Sequence, residues 1–292
     1  MSPHLKGLLL SAAGMLVISP DGMLVKLVAE AEPLQVVFWR SLFLGLVLLA
    51  VVGFWQRRNT GRHLKAIGWG GLLASVLMGV TNIAFVVAMT LTTVSNALVV
   101  IATIPMVSAL FGLALIGERV RLRTWIAMTL SFTGVVIIMS GSVGLGGGTV
   151  IGDLVALSVP VCLGLALVLM RKAGDRDTLP VVALGGILSA AAVLPFCAPL
   201  DVTLHDFGII AIMGLIVSPL ALALYTSGAR YIPAAEVALL ALIETALGPF
   251  WAWVGVGEVP PGMTLVGGVL VIGAIAGNSA LALLRRGSRS GT

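Results

Sequence analysis

The candidate ionisable side chains inside apolar runs of this sequence are Asp21, Lys26, Arg40, Glu236 and Glu244. A charge at mid-bilayer costs about 2.5–3.5 kcal/mol on insertion scales, so such a group faces a partner, a watery cavity or the interface. Asp21 and Arg40 fall at similar depth in the first two runs and carry opposite charges. They read as an ion pair, with a substrate or proton site as the alternative. Glu244 sits at the centre of its run, beside Thr245 and shortly before Pro249. A carboxyl there is either a neutral, hydrogen-bonded structural group or a cavity-facing group that binds solute or exchanges protons. Glu236 reads as a helix-terminal charge, and Lys26 as a side chain snorkelling to the boundary.

Uncharged polar residues supply the rest of the candidate chemistry. Asn82, Asn96, Ser218 and Tyr225 can orient a zwitterion in a cavity or hydrogen-bond between helices. Pro20, Pro105, Pro160, Pro219 and Pro249 lie well inside apolar runs, where a missing N–H and a ring clash bend a helix, so all five are candidate hinges. Catalysis finds no support. His4, His63 and His205 join no nucleophile, and Cys162 and Cys197 lack metal-ligand spacing, so we expect no catalytic residues, no metal and no bound cofactor. The stretch 144–148 is Gly-rich but lacks the Lys-Ser or Lys-Thr of a phosphate loop, which leaves it a linker.

The elements that must carry these residues follow from composition. Of 292 residues, 59% are hydrophobic and 10% charged, against about 25% charged in soluble domains. Ten apolar runs recur, at roughly 5–29, 34–55, 66–91, 95–117, 124–143, 150–170, 179–200, 206–229, 234–257 and 262–284, each near the roughly 20 residues that span a bilayer. The first is too long for a cleaved signal and is read as retained. The partner surface is the lipid bilayer. The net charge of +5 does not indicate nucleic acid, because the 17 Lys and Arg form short clusters between runs. Those clusters (Lys6; 57–65; 119–123; 171–176; Arg230; 285–289) all fall on one side of a ten-run threading, which places both termini in the cytoplasm.

The chain also repeats itself. At an offset of 140 residues, Pro20 recurs as Pro160 and Gly117-Glu118 as Gly257-Glu258, too long a period for a solenoid. Two halves with an odd number of runs each must enter the membrane from opposite sides. The expected fold is therefore an all-α membrane protein of ten transmembrane helices, arranged as two inverted five-helix repeats around a central cavity. The repeats would occupy 1–143 and 150–284, with a linker at 144–149 and a basic tail at 285–292. Gly273 and Gly277 form a small-residue face that packs internally or supports a weak homodimer.

Two five-helix halves, the stretch Ser19-Pro20-Asp21-Gly22, and the run from Pro105 to Gly117-Glu118 followed by a Gly-bearing helix resemble the drug/metabolite transporter superfamily, EamA type. The likeness covers residues 5–284, and the general topology is also similar to the YddG-type amino-acid exporters of that group. The resemblance implies a bundle whose third, fourth, eighth and ninth spans line a cavity, with Asn82, Asn96, Ser218, Tyr225 and Glu244 as substrate-binding candidates. It also implies a bacterial inner-membrane exporter of neutral, apolar or aromatic amino acids, or related small metabolites, working by alternating access. The second half has Thr245 where the first has Pro105, so gating at that point need not be symmetric. A membrane-embedded lipid-modifying enzyme and a non-transporting subunit are the alternatives. The first would require Asp21, Glu236 and Glu244 to converge.

Overall fold

A computed structural model describes residues 3–55, 68–117, 122–143, 147–172, 179–229, 231–232 and 234–287. The basic cluster at 57–65, Glu118, Arg119, Arg121, Arg176, Arg230, the linker core 144–146 and the tail end 288–292 lie outside the described residues.

The described chain is helical because each run is apolar throughout, and a backbone in lipid must satisfy its N–H and C=O groups within its own segment. The helices are α1 (Pro3–Ile18), α2 (Asp21–Leu27), α3 (Pro33–Trp55), α4 (Gly68–Leu91), α5 (Val94–Ile101), α6 (Ile104–Ile116) and α7 (Leu122–Val143). They continue as α8 (Gly147–Lys172), α9 (Leu179–Val193), α10 (Leu204–Ala211), α11 (Ser218–Ala229), α12 (Ala234–Val256) and α13 (Gly262–Gly287). Among the described residues eight spans are long and apolar enough to cross a membrane, and Leu240–Val256 and Gly262–Asn278 are two shorter apolar helices.

Several spans are interrupted. α1 and α2 share one span, broken at Ser19-Pro20, and α5 and α6 share another, broken at Ala102-Thr103 with Pro105 at the second position of α6. A π-helical stretch, Ile212–Val217, joins α10 to α11 immediately before Ser218-Pro219. Pro160 and Pro249, by contrast, lie inside the unbroken helices α8 and α12.

Packing pairs the two halves element by element. α4 lies against α8 and α1 against α11; α3 lies against α9, and α7 against α13. The core that fixes the centre runs through Val94, Ala97, Leu98 and Val100 of α5, Met89 of α4 and Ile275 of α13. At Gly152 of α8 an added Cβ would come within 2.6–2.8 Å of the Leu91-Thr92 backbone, so only glycine allows that approach of α8 to the end of α4. Gly117 after α6 and Gly257 after α12 both adopt left-handed conformations, at φ 73° and 69°.

Candidate functional site

A cavity of about 540 Å³ opens among α4, α5, α6, α8, α9, α11, α12 and α13. Its wall is mainly aliphatic, and its polar groups are Ser108, Tyr225, Thr226, Glu244 and Thr245. The break after α5 shapes one side, since Ile101, Ala102, Ile104 and Pro105 all face the space. Local hydrogen bonds close that break: the Thr103 hydroxyl donates to Val100 O at 2.7 Å, and the amides of Met106 and Val107 both donate to Thr103 O at 2.9 and 3.1 Å. Two of the wall hydroxyls are also engaged, Ser108 donating to Gly164 O at 3.3 Å and Thr226 to Leu222 O at 2.7 Å. Neither the Glu244 carboxyl nor the Tyr225 hydroxyl has a hydrogen-bond partner among the described residues.

Behind this wall lies a buried ion pair. Arg40 Nη2 donates to Asp21 Oδ2 at 2.7 Å, with side-chain exposures of 8% and 1%. Arg40 also sits over the Phe85 ring, 5.2 Å from its centroid. Both charges lie within electrostatic reach of Glu244, and Tyr225 does too. Because Asp21 and Arg40 neutralise each other, Glu244 is the uncompensated group of the three.

The cavity extends toward the face where α8 meets α9. Met170 is two residues from the end of α8, Tyr225 and Thr226 are in the last turns of α11, and Val182 is in the first turn of α9. The opposite end is closed by polar contacts among loops and helix ends. Lys26 Nζ donates to Thr92 O at 2.9 Å and lies 3.4 Å from Glu258 Oε2, while Glu258 Oε1 accepts from the Val94 amide at 2.6 Å. Thr92 donates to Asp153 at 2.6 Å, the Asn96 amide reaches the same carboxylate at 3.3 Å, and the Thr264 hydroxyl donates to Asn96 Oδ1. Asp206 accepts the amides of Ala29, Glu30 and Ala31 at 3.2, 2.8 and 2.8 Å, binding the α2–α3 loop to α10. Gln35 donates to Ala198 O and Asp201 O at 2.7 and 2.9 Å, and Trp39 to Pro199 O at 2.7 Å.

The residues singled out from sequence thus separate. Tyr225, Glu244 and Pro105 line the cavity. Asn96 is buried in the closed end, joined to Thr92, Asp153 and Thr264. Asn82 is half-buried on α4, and Ser218 is buried with its hydroxyl unpartnered among the described residues; neither is part of the cavity wall. Lys26 is held by Glu258 and Thr92 rather than merely snorkelling. The side chain of Glu236 lies outside the described residues. Asp153 is absent from the sequence reading. Its signal in the sequence is that of an acidic residue near the start of an otherwise apolar run.

Comparison with known proteins agrees with this architecture. The model of the EamA-like transporter family matches twice, at residues 5–140 and 150–280. One solved crystal structure has a TM-score of 0.64 at 19% identity, covering 96% of this chain and 97% of the other, a likeness of fold. No curated protein matches the sequence. With two matches spanning most of its length, the chain belongs to the EamA-like transporter family.

Proposed function

We propose that this chain, a membrane transporter of small molecules, is an inner-membrane exporter of amino acids with apolar or aromatic side chains, or of related small metabolites, working by alternating access as a ten-span inverted repeat. One observation carries the reading: a cavity with a few polar groups reaches toward one end of the bundle, while an ion pair and a set of hydrogen bonds bridge the helix ends at the other. A channel would be open at both ends and a structural subunit would be filled.

Packing supports the inverted arrangement. Exchanging the halves turns the α4–α8 contact into the α11–α1 contact, and maps α3–α9 and α7–α13 onto themselves, as a twofold axis between the halves would require. The basic clusters then put the termini in the cytoplasm, so the cavity faces inward in this state and the polar lattice seals the outside. A wall with no Lys, Arg or His among its described residues does not suit phosphorylated substrates. Uptake of a labelled amino-acid panel into liposomes holding the purified protein tests the proposal. Saturable uptake of apolar members over protein-free liposomes is expected; uptake of none would remove it.

A further inference from the structure

Among the described residues of the cavity wall Glu244 is the one carboxyl, and its surroundings say what charge it can receive. Asp21 and Arg40 lie near, but the 2.7 Å contact between them commits the guanidinium to Asp21 and leaves it no net charge to offer the cavity. An ionised or hydrogen-bonding Glu244 is therefore matched only by a group the solute brings, a cationic or strongly donating one. A zwitterion brings a carboxylate as well, and that group has no counterpart. The described wall holds no Lys, Arg or His. The Ser108 and Thr226 hydroxyls already donate to backbone carbonyls. The break before α6 is not an anion seat either, since Pro105 has no N–H and the next two amides donate to Thr103 O. Among the described wall residues only the hydroxyls of Tyr225 and Thr245 remain as donors, on the same wall as the Glu244 carboxyl, which repels an anion when ionised.

Building on the transporter reading, we infer that the cavity selects monocationic amines with an apolar body, such as alkyl or aryl amines and amino-acid amides, over the matching zwitterionic amino acids, and that Glu244 is the residue that sets this preference. The ammonium sits at Glu244, where the low local dielectric makes a charge-assisted contact strong, and the apolar body fills the aliphatic remainder of the space. Masking or removing the substrate carboxyl takes away an anion that would otherwise be buried without a partner.

The test uses matched sets at pH 7: phenylalanine, phenylalaninamide and phenethylamine, and the leucine series alike, in direct uptake and mutual competition in liposomes containing the full chain. The amide and the amine are expected to compete at least tenfold more strongly than the amino acid. Glu244→Gln, checked for monodispersity, is expected to bring the three within about threefold of one another, and Glu244→Asp to keep the order. Equal or stronger competition by the zwitterions would overturn the amine preference while leaving an amino-acid transporter standing. Transport of no member of either series would overturn both. Should Glu244→Gln, or Glu244→Ala where the Gln variant is unstable, keep the full preference, Glu244 is not the residue that sets it.

Discussion

At the scale of single residues, Glu244 and the Asp21–Arg40 pair show how burial sorts charges by role. The pair is tied at 2.7 Å and almost fully shielded, so neither member is available to solute. Removing one partner of such a pair leaves a bare charge in low dielectric, a loss of about 3–5 kcal/mol, whereas replacing both together costs far less. Arg40→Ala is accordingly expected to lower the thermal unfolding midpoint in detergent sharply, and Asp21→Asn with Arg40→Leu to recover most of it. Additive losses in the double variant would mean that the two groups do not act as a pair. The sequence made this much legible, because a charge or a tyrosine in an apolar run draws attention wherever it stands. It could not show that Glu244 and Tyr225 share a cavity while Asn96 joins a closed end. That division depends on which face of each helix turns inward, and helices apolar on all sides carry no amphipathic signal to tell.

At the scale of elements, the breaks matter more than the prolines that accompany them. Proline inside a helix removes one hydrogen bond, yet α8 and α12 run unbroken through Pro160 and Pro249, while Pro20 and Pro105 stand at helix starts beside the breaks. Neighbouring groups decide the outcome, and those come from distant parts of the chain. At Ser19-Pro20 the neighbour is α12: Trp251 Nε1 donates to the Ser19 hydroxyl at 2.9 Å. This bond links the α1–α2 break to the helix bearing Glu244, and under the proposed alternating access it would couple movement at the break to the cavity wall. A neutral hydrogen bond is worth about 1 kcal/mol, roughly fivefold in a rate or equilibrium constant. Trp251→Phe and Ser19→Ala should each change transport turnover by about that factor with little effect on KM, and the double variant should add nothing further. Independent, multiplying effects would show that the bond does not couple the two elements.

At the scale of the whole molecule, the duplication is written plainly in the sequence, in the offset that carries Pro20 to Pro160 and Gly117 to Gly257, and the family match falls in the same two stretches. The loop contacts that close one end are not written there. Asp206 holding three amides of the α2–α3 loop, and Lys26 meeting Glu258 across more than two hundred residues, are tertiary facts that no local pattern encodes. They bind the ends of distant helices together at that end of the bundle. The central claim is that the Glu244 cavity is reached from one face at a time. A single cysteine at Thr245, with Cys162 and Cys197 replaced, reports this directly through its reaction with a membrane-impermeant thiol reagent applied to right-side-out and to inverted vesicles. The account predicts rapid labelling from the terminus-bearing face at rest, and labelling from the other face that rises with Glu258→Gln as that from the first falls. Equal labelling from both faces in the unaltered chain, or none from the far face under any condition, would contradict it.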